Sequence, residues 1–137
     1  MCLTIKDKFS EPLIASEDMV VYKVVVCEVV NNQPRYSTLF QSQSIGYDRV
    51  YRSKLTFNSN GDVEVALHSF RDQYKALELI TLHKKITNYQ ETTVNSLAVV
   101  RCQIPTGSKY YIGNFMRGIS YASDHLIYKE IVDIVKV

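Results

Sequence analysis

The chain has 137 residues, a hydrophobic fraction of 46% and a formal net charge of only +2. This length suits one domain with one core, and no stretch resembles a Pro/Gly/Ser-rich linker. So small a charge does not favour the many phosphate contacts of a nucleic-acid-binding protein, and we do not expect nucleic acid as a partner. The three cysteines form no C-x-x-C pair and have no histidine at metal-ligand spacing, so we expect reduced thiols, no metal and no cofactor.

The N-terminal residues 1–18 contain few periodic apolar positions and predict an extended lead-in to a single domain over 19–137. They lack the apolar centre of a secretory signal. The longest apolar run, 19–30, is interrupted by Lys23 and Glu28 and is far shorter than a membrane span. We therefore expect a cytoplasmic protein that does not bind a membrane.

The first half of the chain contains strand signals separated by turns. Residues 19–30 are β-branched and apolar at nearly every position, which predicts a strand at the centre of a sheet, buried on both faces. A turn follows at 31–34, and the polar and aromatic stretch 35–48 favours an irregular segment over a cleft. Alternating residues in 49–57 and 62–68, joined by the turn Asn58-Ser-Asn-Gly61, predict a hairpin.

A helix-start pattern opens the second half, because Ser69 can cap a helix and Asp72 stands three positions later. Strands are predicted at 97–104, 109–112 and 125–137, with loops at 87–95, at 114–120 and around 121–124. We therefore predict an α+β fold, mainly an antiparallel twisted sheet with one principal helix over about residues 69–85.

Three groups of residues are candidates for a binding site. His68 and Ser69 stand where a predicted strand leads into a helix, a place that can bind an anion, although Ser69 could simply cap the helix. Two predicted turns present tyrosines and polar groups that could stack on a flat ligand, or could be turn structure alone. Arg52 forms a small basic patch with Arg49 and Lys54, which could hold one or two phosphates or be one solvated hairpin face. The turn residues are Tyr110, Tyr111, Tyr121, Ser123 and Asp124.

Four stretches of the chain carry a resemblance to a known group of proteins: Val21-Tyr-Lys-Val24, Leu67-His-Ser-Phe70, Ile104-Pro-Thr-Gly-Ser-Lys-Tyr-Tyr-Ile-Gly113 and Tyr121-Ala-Ser-Asp124. In this order they resemble short proteins of unassigned function that are common in phages and mobile elements of gut bacteria. The resemblance covers residues 19 to about 130. It implies a cytoplasmic accessory protein and does not imply a reaction.

The order of parts is also similar to that of ADP-ribosyltransferases and tRNA 2′-phosphotransferases. On this resemblance Tyr22-Lys23, Tyr36-Ser37 and Glu130 would be the counterparts of the dinucleotide-contacting and acidic residues. No Walker loop, G-x-G-x-x-G, G-x-S-x-G or H-E-x-x-H motif is present, and no catalytic residue is assigned. A non-enzymatic role is therefore favoured, with enzymatic activity left open.

We predict a non-catalytic accessory protein, homo-oligomeric, that binds a small nucleotide-like or polar aromatic ligand and so sequesters or senses a host signalling molecule. Its predicted ligand-binding residues are Tyr22, Tyr36, Arg52, His68, Ser69, Tyr110, Tyr121, Ser123 and Asp124. One alternative is an ADP-ribosyltransferase-like enzyme. A second alternative is a protein-protein adaptor or inhibitor of a host factor, which predicts an exposed apolar or aromatic surface.

Overall fold

The computed structural model of the protein describes residues 3–38, 44–79, 96–115 and 118–136. These ranges contain eleven β-strands and one helix, α1, over residues 73–79. The strands are β1 (Leu13–Ile14), β2 (Met19–Val30), β3 (Gln33–Thr38), β4 (Val50–Arg52), β5 (Thr56–Phe57), β6 (Val63–Val65), β7 (Leu67–Phe70), β8 (Ser96–Ile104), β9 (Lys109–Phe115), β10 (Gly118–Ser123) and β11 (His125–Lys136).

The predicted α+β class is wrong, because the described chain is mainly an antiparallel β fold with one short helix. The main sheet has the strand order β1-β9-β10-β7-β2-β8-β11-β4, and β3 pairs with the later part of β2. Strands β5 and β6 form a separate hairpin at the predicted turn, where Gly61 has a φ of +80°. The central position predicted for residues 19–30 is confirmed, since β2 has β8 along one edge and β7 and β3 along the other.

The principal helix predicted over 69–85 is also wrong in its N-terminal part. Ser69 and Phe70 belong to β7, where they pair with Tyr121 and Ser120 of β10. The first helical hydrogen bonds run to the carbonyl of Asp72, from the N–H groups of Lys75 (3.1 Å) and Ala76 (3.4 Å). Strand pairing therefore outweighs the capping pattern at Ser69, and residues 80–85 lie outside the described ranges.

One side of the long strands, here called the inner face, holds the largest buried cluster. Val21 pairs with Cys102, and Cys102 pairs with Tyr128. All three side chains point to this side, because directly paired residues share a face of the sheet. Full burial of a Val, Leu or Ile side chain in this cluster contributes about 1.5–3 kcal/mol to stability. The cluster consists of Ala15, Val21, Val25, Ala98, Val100, Cys102, Ile104, Tyr121, Leu126 and Tyr128.

The strands around this core form a closed circuit. Residues 44–48 connect β3 to β11, because the Ile45 N–H donates to the Tyr36 carbonyl (3.1 Å) and the Asp48 N–H donates to the Tyr128 carbonyl (2.9 Å). Ladders from β11 to β8, β8 to β2 and β2 to β3 complete the ring. The irregular segment predicted for 35–48 is thus wrong for 35–38, which lie in β3, and residues 39–43 are outside the described ranges.

The opposite side of the sheet, here called the outer face, is covered in two places. Ala76 and Leu79 of α1 pack on Val24, Phe70 and Val99. The N-terminal segment covers β9 and β10. Its Leu3 N–H donates to the Val63 carbonyl of β6 (2.8 Å), and its Thr4 carbonyl accepts from the Asn114 N–H of β9 (2.9 Å). The N-terminal lead-in therefore supplies core residues, and Leu3 is fully buried.

The remaining loop predictions near the C-terminus are corrected in the same way. Residues 114–115 continue β9 past Gly113, and 118–123 form β10 instead of two loops. Hydrogen-bonded pairing of β9 with β10 and of β10 with β7 supplies the partners that make these residues strands. The strands predicted at 97–104 and 125–137 are confirmed by β8 and β11, apart from residue 137, which is not described.

Candidate functional site

Strand register divides the nine predicted ligand-binding residues between the two faces. Residues that pair directly lie on one side of a sheet, and neighbours along a strand lie on opposite sides. Tyr36, Ser69, Tyr110, Tyr121 and Ser123 belong to the inner face. Tyr22, Arg52 and His68 belong to the outer face, and Asp124 lies at the corner between β10 and β11. No site on one face of the sheet can include all nine.

The inner-face tyrosines are packing residues of the core. The rings of Tyr110 and Tyr121 meet edge to face, with centroids 5.8 Å apart. Tyr121 is buried, and burial raises the pKa of its hydroxyl. Burial likewise raises the pKa of Tyr36, which packs against the same cluster. These rings therefore mainly stabilise the core on the inner face.

His68 and Ser69 are buried polar residues with incomplete hydrogen bonding. The Nε2 of His68 lies 3.2 Å from the Glu64 carbonyl, which it can contact only as a donor. Its Nδ1 has no partner among the described residues, and neither has the Oγ of Ser69. Desolvation lowers the pKa of His68 to about 4, and the nearby Lys23 charge adds to this shift. His68 is therefore a neutral imidazole at neutral pH.

Asp124 organises the corner between β10 and β11. Its Oδ1 accepts a hydrogen bond from the Lys109 N–H (2.9 Å) and lies 2.6 Å from Nδ1 of His125. The Ser53 N–H donates to its carbonyl (2.9 Å), which ties the end of β4 to this corner. His125 pairs with Arg52 across the strands, so the structure brings together Arg52 and Asp124, both predicted, with His125, which sequence reasoning did not select.

Within the described residues, part of the outer face of β2, β8, β11 and β4 is not covered by another element and is here called the open face. One row of paired residues, Val20, Gln103, Ile127 and Val50, runs across all four strands. Val20 is 56% exposed and Val50 is 49% exposed. Tyr22, Arg52, Arg101 and His125 stand on the same face beside this row.

Some charged side chains on or beside the open face form ion pairs and others do not. Arg101 Nη2 lies 2.8 Å from Glu130 Oε1, and its Nε is buried without a partner among the described residues. Arg52 has no carboxylate within ion-pair distance in that part of the chain, while Lys129 at the edge is paired with Asp48 (3.1 Å). The alternation of Arg101 and Gln103 with the buried Val100 and Cys102 is the sequence signal that could have located this surface.

The residues matched to the transferases lie partly together. Tyr22 and Glu130 share the outer face and are separated by Arg101 of β8, to which each is paired. Tyr36 points to the inner face, away from them. The Glu130 carboxylate is held by Arg101, which would compete with the cationic sugar that a transferase acid must stabilise.

Searches of protein-family models, curated proteins and solved structures found no match to this chain. Across the described ranges, no helix has both the length and the apolar character to cross a membrane. The same residues contain no group of three or more His, Cys, Asp or Glu side chains placed to hold a metal ion. Function is accordingly inferred from the geometry of this chain.

Proposed function

We propose that the domain is a non-catalytic adaptor or inhibitor that binds a partner protein on its open face. The observation that carries this proposal is the row of Val20, Gln103, Ile127 and Val50, in which three of the four side chains are apolar and Val20 and Val50 are about half exposed. Apolar side chains aligned on a sheet face and left uncovered are typical of interaction surfaces.

The side chains beside the row support the proposal. Protein interfaces are enriched in tyrosine and arginine, and their binding energy is concentrated in a few such residues. Tyr22, Arg52 and Arg101 supply these types. Because Arg52 has no carboxylate partner within the described residues, the complementary surface carries an acidic group opposite it.

The shape of the open face favours a macromolecule over a small ligand. The inner side of these strands is enclosed by the closed circuit, so the open face is the outside of that ring and does not form a hollow. Small-molecule sites are concave and bury most of their ligand. The predicted nucleotide-like ligand therefore stays a prediction for another part of the molecule, while a cytoplasmic, accessory role remains part of this proposal.

The test places a photo-crosslinking amino acid at Val20 or Val50, and in the control protein at Ile112, which is exposed on β9 (45%). We expect the first two positions to crosslink the same host protein in cells and the control position not to. The crosslinked protein is then purified and titrated calorimetrically against the wild type and Arg52→Glu. Reversal of this charge should weaken binding by about tenfold or more and change its salt dependence.

Two outcomes would contradict the proposal. Equal crosslinking from all three positions would show that the open face is not the binding surface. A homodimer, measured by light scattering, that dissociates on Val20→Glu/Val50→Glu would show that a second copy covers this face. Stabilisation by nucleotides that persists in the Val20→Glu/Val50→Glu protein would instead support the small-ligand prediction at a different place.

A further inference from the structure

Beside Lys23, the edge of β2 changes its pairing partner from β7 to β3 and leaves an opening between the two pairings. Among the described residues, β2 and β7 pair at Tyr22 and Phe70, and from Val25 onward β2 pairs with β3 instead. Lys23 lies between these two pairings with its side chain toward the inner face, since it pairs with Val100 of β8. Its Nζ donates a hydrogen bond to the His68 carbonyl (3.1 Å) across the opening.

The ammonium of Lys23 has no counter-ion in the described part of the chain. It can donate three hydrogen bonds, and the His68 carbonyl is the acceptor given by the structure. The Lys23 side chain is half-buried and its ammonium group is surrounded by protein. Desolvation of the ammonium lowers the pKa of Lys23. The nearby Cys102 supplies no negative charge, because burial raises the pKa of its thiol to about 12 although Lys23 opposes the shift.

A second unpaired donor stands at the same opening. Ser69 follows His68 directly, is 1% exposed, and its Oγ has no partner among the described residues. It belongs to the inner face, as Lys23 does, because it pairs with Tyr121. Buried polar groups in native proteins are normally hydrogen-bonded, so two incompletely bonded donors on one face indicate a missing acceptor.

The surroundings of these donors are apolar and aromatic. Tyr121 lies opposite Ser69 and packs edge to face on Tyr110, and Leu67 contacts the same cluster. One ammonium and one hydroxyl match a single carboxylate, whereas a phosphate dianion is normally bound by more donors. The apolar walls match an aliphatic or aromatic body attached to that carboxylate.

We propose that Lys23 and Ser69 bind the carboxylate of a small apolar or aromatic acid where β7 separates from β2. This site lies on the side of the sheet opposite the open face, and it does not depend on protein binding there. It retains three of the residues predicted to bind a ligand, namely Ser69, Tyr110 and Tyr121, and adds Lys23 as the residue that recognises charge.

The test uses benzoate and hexanoate as probes, with benzamide as the uncharged analogue of benzoate. Melting temperatures and the NMR signal of the Lys23 side-chain carbon next to Nζ are followed during titration. We expect both acids to raise the melting temperature by several degrees at saturation and to shift the Lys23 signal, and benzamide to do neither. Ser69→Ala should weaken binding by about tenfold.

Lys23→Met is the decisive variant, because it removes the ammonium at similar length. We expect it to abolish the response to both acids, while Lys109→Met, which changes an exposed lysine of β9, leaves the response intact. Unchanged binding in Lys23→Met, an equal response to benzamide, or no response of the wild type to either acid would each overturn the proposal. If Lys23→Met does not fold, the NMR titration of the wild type decides, and a Lys23 signal that does not move refutes the site.

Discussion

His68 lies on β7 with its ring enclosed by protein, and its Nδ1 has no hydrogen-bond partner among the described residues. Its folded-state pKa is about 4, lowered chiefly by desolvation, whereas an unfolded histidine titrates near 6.5. Between these two pH values the unfolded chain binds the proton and the folded protein does not. The free energy of unfolding therefore contains a contribution that is present above about pH 6.5 and is lost as the pH falls to about 4.

We expect this contribution to be on the order of 3 kcal/mol. Urea unfolding of wild type at pH 7.5 and pH 4.5 should show a larger loss of stability than the same comparison for His68→Gln, which cannot take up the proton. His125→Gln serves as control, since His125 is partly exposed and lies next to Asp124. A pH dependence that is the same in wild type and His68→Gln would disprove the assignment.

Individual side chains could be selected from the sequence, but their side of the sheet could not. Tyr110, in a predicted strand beside a turn, and Tyr121, in a predicted loop, were selected as residues able to stack on a ligand, but in the β9–β10 ladder they pack on each other. Lys23 interrupts an apolar run in the sequence, and only the separation of β7 from β2 shows why a cation is placed there.

At the level of elements, Gly113 fits β9 against the N-terminal segment. A Cβ at this position would overlap the carbonyl oxygen of Thr4, which is main chain and cannot rotate away. Because that carbonyl accepts the Asn114 N–H, the strand and the segment are fixed at this separation. Gly113 is therefore required for close approach of two backbones, which its place in the sequence as a strand end did not indicate.

We expect Gly113→Ala to lower the free energy of unfolding by about 1–3 kcal/mol, as overpacking does. It should also speed hydrogen exchange at the amide of Asn114. Gly46→Ala is the matched control, because the nearest atom to its added Cβ is a flexible Arg49 carbon at 3.4 Å. Equal stability of the two variants, with unchanged exchange at Asn114, would show that the N-terminal segment does not pack as described.

The helix shows that a local sequence pattern can predict the right kind of element and still place its start at the wrong residue. The sequence predicted a principal helix that starts at Ser69. Because α1 starts at residue 73, its buried positions are Ala76 and Leu79, and Tyr74 is 66% exposed. The competing pairing partner, β10, lies about fifty residues away in sequence and leaves no signal near Ser69.

For the molecule as a whole, stability depends on the core inside the closed circuit. Leu126 is fully buried there and contacts residues from several strands. We expect Leu126→Ala to lower the free energy of unfolding by about 2–5 kcal/mol, because it leaves a cavity. Leu13→Ala, at a position 51% exposed on the edge strand β1, should cost less than about 0.5 kcal/mol. Denaturant unfolding of both variants checks this, and similar losses would contradict the placement of the core.

The long strands could be predicted because their composition is decisive over nine or more residues. β2, β8 and β11 are dense in Val, Ile and Leu, and the turn at Asn58–Gly61 has a local signal. Their partners could not be predicted. β2 pairs with β8, which lies about seventy residues later in the chain, and with β7, which lies between the two in sequence. The open face and the Lys23 opening arise from these pairings, so neither could be derived from periodicity.

The pairing of β2 with β8 also determines when the molecule can form during synthesis. β2 is translated before β8 with only β3 as a nearby partner, and its pairing is incomplete until Ser96–Ile104 has been translated. Contacts between such distant segments make folding slow. During this interval the edge of β2 that will pair with β8 is open to other nascent chains, so newly made protein should depend on chaperones or on low expression temperature to reach the native state.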